Sequence, residues 1–101
     1  MDYFYDVRNY LDITFSDADT DTKLTGVCER AEAFLSKVAG SKITFSKDME
    51  DKDLLQLLFD CIRYMWSGAR DEFEKNYAED LFNLRANYHA DTMREAEETG
   101  E

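Results

Sequence analysis

Three aspartates stand on alternating positions, Asp17, Asp19 and Asp21. This is how the calcium loop of an EF-hand begins, with oxygen ligands at loop positions 1, 3 and 5. The rest of such a loop is missing, because Thr22 stands at the sixth position, where Gly makes the sharp turn, and Cys28 stands at the twelfth, where a bidentate Glu closes the sphere. The stretch SDADTDT reads instead as a helix start, since its short polar side chains accept hydrogen bonds from free backbone N–H groups and its charge suits a helix N-terminus. His89 is the only histidine, and it has no nearby Cys, Ser or paired carboxylates with which to form a zinc site or a hydrolytic triad. It is expected on the surface of the last helix. The acid pairs Asp71-Glu72, Glu79-Asp80 and Glu97-Glu98 would need one buried member to work as an acid/base dyad, and neighbours on an exposed helix face diverge. Cys28 and Cys61 each lie inside an apolar helical pattern and are expected as reduced core thiols. There is no Gly-rich phosphate loop, GxSxG or HExxH. The expectation is a binding protein, with no catalytic residues, no metal and no cofactor.

The totals agree with that reading. At 101 residues, 44% of them hydrophobic, the chain has material for one domain around one core. Seven Phe, six Tyr and one Trp supply much of its buried area. Acids outnumber bases 23 to 12, and the net charge of −11 repels phosphate backbones and anionic membranes. No apolar run approaches the roughly 20 residues that span a bilayer, and MDYFYDVRNYL lacks the basic start and cleavage site of a signal peptide, so a cytosolic protein is expected.

The elements that must carry any surface are helices, because Pro is absent and Gly is scarce. Phe4, Val7, Tyr10 and Leu11 set a short first helix over about 3–11. Leu24, Cys28, Ala31, Leu35 and Val38 recur at 4, 3, 4, 3 and predict a second helix over 17–40, stopped by Gly40. Residues 40–50 break the period and read as a structured loop, with Ile43, Thr44 and Phe45 in an extended stretch that can pair with a neighbouring chain. Residues 51–67 are so densely apolar that both faces of a central helix must be covered. Ser67-Gly68 then turns or kinks the chain. Phe73, Tyr77, Leu81, Leu84 and Tyr88 make a further amphipathic helix, a C-terminal extension. The fold class is all-α, a small bundle of about four helices. One domain is expected over 1–90, with an acidic, solvated, flexible tail over 91–101.

Tyr3, Phe4 and Tyr5 cannot all face one core from a short helix; they either pack inward or anchor an interface. The candidate contact residues are therefore Tyr3, Phe4, Tyr5, Ile43, Thr44, Phe45, Tyr77, Phe82 and Tyr88.

The order of these signals resembles the head-to-tail connector, or adaptor, family of tailed bacteriophages. The opening motif falls on Asp6, Val7, Tyr10, Leu11 and Ile13, the Gly-terminated helix on Ala31, Phe34, Leu35 and Gly40, and the apolar helix on Leu54, Leu58, Ile62 and Trp66. The likeness covers roughly residues 5 to 70 and consists of packing signatures. It implies a virion assembly protein at the head–tail interface, present in the host cytoplasm before assembly. It also implies a ring that docks beneath the portal protein and extends the DNA channel toward the tail. The partners implied are neighbouring copies, the portal and downstream head-completion or tail proteins. DNA would pass an acid-lined wall without binding, and no membrane is involved. From another class, the same acidity suits a DNA-mimic inhibitor of a nucleic-acid-binding enzyme.

Overall fold

The computed structural model describes residues 1–15 and 17–99, with side chains described as far as Tyr88. Five helices follow one another: α1 (Phe4–Tyr10), α2 (Ala18–Ala39), α3 (Lys52–Trp66), α4 (Arg70–Asn76) and α5 (Ala78–Thr99). The protein is all-helical, and no strand occurs among the described residues.

The periodicity of α2 does what its spacing dictates: Leu24, Val27, Cys28, Ala31, Leu35 and Ala39 form one buried stripe. Each fully buried leucine contributes about 1.5–3 kcal/mol relative to exposure. The helix ends at Gly40, whose φ of 77° is left-handed and costs glycine nothing. The N–H groups of Gly40 and Ser41 both return to the Ser36 carbonyl. At the other end Asp17 occupies the N-cap position, but its carboxylate takes the Thr20 hydroxyl (3.0 Å) and no backbone N–H.

In α3 the cap is complete, because the Asp51 carboxylate accepts from the Leu54 N–H at 3.0 Å. Only one stripe of α3, Leu54, Leu58, Cys61 and Ile62, is fully buried. This corrects the expectation that both faces are covered: Leu55, Leu57, Phe59, Met65 and Trp66 flank the core half-exposed. The chain turns after α3 and does not kink. Gly68 takes φ 72°, and the Ala69 N–H bonds the Tyr64 carbonyl at 2.8 Å. Progress along α4 then runs back along α3, since Phe73 meets Tyr64 and Tyr77 meets Asp60.

Tyr77 interrupts the last helix with φ −111°. The sequence hides this break because the apolar spacing continues through it. The backbone is helical to Thr99, so residues 91–99 of the expected acidic tail belong to α5, through Ala, Glu, Met and Arg, which are strong helix formers. Gly100 and Glu101 lie outside the described residues, as does the side chain of His89.

The loop of residues 40–51 folds onto the chain itself. Ile43 and Phe45 are buried on alternate positions while Thr44 faces out, and the Ile43 N–H donates to Ser36 Oγ at 3.1 Å. Its far end is tied to the N-terminus, where Asp2 accepts from the Ser46 hydroxyl and the Lys47 N–H. Those two donors hold the Asp2 carboxyl below its ordinary pKa. The short helix α1 lies across α2 and α3: Tyr3 OH donates to Glu32, and the rings of Tyr3 and Tyr10 both meet Phe59.

Candidate functional site

The nine candidate contact residues divide by burial. Tyr3, Ile43 and Phe45 are core side chains, so in this conformation they cannot meet a partner; each fills a gap that a small domain has few other groups to fill. Phe4, Tyr77 and Tyr88 are half-buried against the core. Tyr5 and Phe82, each 72% exposed, and Thr44 remain on the surface. Phe15, also exposed, was not singled out from the sequence.

A charge feature that the sequence reading missed is a basic groove on an otherwise acidic molecule. A depression of about 480 Å³ is lined by Arg30, Ala33, Phe34, Lys37, Met65, Gly68 and Arg70. It continues into a second of about 460 Å³, which shares Phe34, Lys37 and Arg70 and adds Val38, Gly40, Glu74 and Arg85. Arg30 and Lys37 are seven residues apart, so two helical turns bring them to one face of α2, with Phe34 between. The turn at Gly68 starts α4 beside that face. Arg70 lies over the Phe34 ring, 4.7 Å from its centroid, and 3.7 Å from Glu74. That is the groove's one ion pair among the described residues. The signal in the sequence was the pair Arg30 and Lys37 flanking an aromatic.

Acid gathers elsewhere. Asp48, Glu50, Asp51 and Asp53 are all exposed where the loop enters α3. Lys52, within the same stretch, turns its ammonium back to the Lys47 carbonyl at 3.1 Å. A shallow depression of about 250 Å³ beside this corner adds Asp80, Asn83 and Asn87 from α5.

Asp60 is the main polar hub. It accepts from Tyr10 OH, from Tyr77 OH at 3.1 Å and from Gln56 Nε2 at 3.1 Å, joining α1, α3 and the α4–α5 junction. Desolvation, with Asp60 alongside, raises the pKa of both tyrosines, because a phenolate there would meet a carboxylate. Tyr77 stacks on Phe73 at 4.6 Å, and Phe73 also meets Tyr64 and Phe34. The hub braces the surface and is filled by its own side chains.

The residues with potential chemistry do not converge. Cys28 and Cys61 are free and buried, and burial pushes both thiols up to about 12, which keeps them protonated and unreactive. Asp21 faces Arg8 at 3.8 Å and does not join Asp17 and Asp19 around a common point. No group of three potential metal ligands occurs among the described residues, and no helix among them is long and apolar enough to cross a membrane.

Fold and surface thus define an all-helical module with charge-segregated faces. Comparison with known proteins adds no relative: no family model, curated protein or solved structure matches the chain.

Proposed function

We propose that this protein is a structural assembly subunit, a head-to-tail connector that forms a ring beneath a phage portal and extends the DNA channel. The observation that carries the reading is charge segregation: among the described residues a basic groove interrupts the surface of a chain that is acidic on balance. A subunit with two unlike faces can contact its neighbour heterologously, which is the contact a ring repeats. The remaining acid suits a channel wall that DNA passes without gripping, since like charge repels the phosphates. The motif residues read from the sequence lie on or just after α1, α2 and α3, the packed scaffold on which such faces would be held. A DNA mimic would favour an unbroken acidic surface, and the groove breaks it.

The test is a binding comparison between isolated portal protein and a basic nucleic-acid-binding enzyme, each titrated with salt. The expected outcome is association with the portal and none with the enzyme. Binding to the enzyme that weakens steeply with salt, with no portal binding, would replace this reading by the inhibitor.

A further inference from the structure

We infer that the basic groove is the seat for the acidic corner, residues 48–53, of a second copy of this chain. The inference rests on the ring reading and names its contact. The groove carries Arg30, Lys37, Arg70 and Arg85 against Glu74, a formal charge of 4 − 1 = +3. The corner carries Asp48, Glu50, Asp51 and Asp53 against Lys52, a formal charge of 1 − 4 = −3. With +3 gathered in the groove, everything outside it sums to −11 − 3 = −14, so on balance two copies repel one another away from that contact. Opposite charge at one place and like charge elsewhere selects a single docking register.

Geometry rules out the chain's own corner as the occupant, and the matching charge makes another copy's corner the choice. Met65, Gly68 and Arg70 of the groove stand at the C-terminal end of α3, and the corner stands at its N-terminal end. Fifteen residues at 1.5 Å each separate that end of the groove from the corner by roughly 20 Å, so a chain cannot place its own corner against Met65, Gly68 and Arg70. A contact between opposite ends is heterologous and repeats from copy to copy, closing into a ring where the rotation allows it. The groove floor includes the Phe34 ring, Ala33 and Val38, apolar surface that a folded neighbour covers and a small anion leaves wet.

Two variants test this by sedimentation velocity at low salt and high protein concentration. R30E/K37E reverses the groove; D48K/E50K reverses the corner and spares the Asp51 cap. Circular dichroism confirms that each is folded. The wild type is expected to associate. Each variant alone is expected to associate at least about tenfold more weakly. An equimolar mixture is expected to recover association and to grow beyond a dimer, because the intact groove meets the intact corner and the reversed groove meets the reversed corner. A chain with all four changes regains association. The inference is overturned if the wild type stays monomeric, if the variants associate as the wild type does, or if the mixture of folded variants stays monomeric. It is equally overturned if inorganic phosphate binds the groove tightly in a monomeric protein. Rings of both variants on a portal would remove the groove contact and leave the connector reading standing.

Discussion

Phe73 is the only buried residue of α4, and it holds in place the helix that brings Arg70 to the groove. Its ring is fully buried and meets three others: Tyr77 stacked at 4.6 Å, Tyr64 at 5.7 Å and Phe34 edge-on at 6.2 Å. Replacing it by Ala removes the transfer energy of the ring and leaves a cavity, together about 3–5 kcal/mol. The lost ring pairs, each about 0.5–1.5 kcal/mol beyond buried area, place Phe73→Ala near the top of that range. Against a total stability of about 5–15 kcal/mol, this is a large fraction. A domain of this size loses about 4–8 °C per kcal/mol, so the melting temperature is expected to fall by about 20 °C or more. Urea denaturation followed by far-UV circular dichroism measures the free energy, and hydrogen exchange reports whether the α4 amides lose protection first. Phe82→Ala, at a residue 72% exposed, is the control and is expected to stay within about 0.5 kcal/mol. A loss below about 2 kcal/mol for Phe73→Ala would show that the aromatic cluster does not hold α4 and that the groove's geometry has another source.

Asp60→Ala is expected to cost about 1–3 kcal/mol in urea denaturation, because it removes the acceptor shared by Tyr10, Tyr77 and Gln56; faster proteolysis within α1 would accompany it. Alkaline pH is expected to destabilise the fold. Cys28, Cys61, Tyr10 and Tyr77 all have folded pKa values above their ordinary ones, so their contribution is intact below about pH 9 and is lost above it as the unfolded chain ionises first. A melting temperature that is flat from pH 8 to 11 would contradict this. The two thiols are likewise expected to resist a thiol-specific reagent until the protein unfolds. Gly40→Ala is expected to cost about 1 kcal/mol in thermal melts, because alanine is strained at φ 77°.

How much of this was legible in the sequence depended on whether a signal was local. The stripe of α2 and its Gly40 stop were readable because spacing and turn chemistry act within a few residues. Asp17, Asp19 and Asp21 were rightly read as the start of α2, although Asp17 bonds the Thr20 hydroxyl where a backbone bond was expected. The break at Tyr77 was not readable, since the residue is apolar, in period and stacked on Phe73, and the interruption lies only in its backbone angles. Ile43 and Phe45 alternated like a strand looking for a neighbour. They found their own core, as tertiary packing decides short segments. The groove was the least visible feature, because Arg30 and Lys37 share a helix but Arg70 and Arg85 arrive only through the turn at Gly68.

The connector reading is tested most directly by cryo-electron microscopy of the protein added in excess to DNA-filled, tail-less phage heads. The result predicted is a ring of density coaxial with the portal, each subunit resolving as a bundle of five helices with an acid-rich wall toward the channel. A portal vertex unchanged by the folded protein would contradict it.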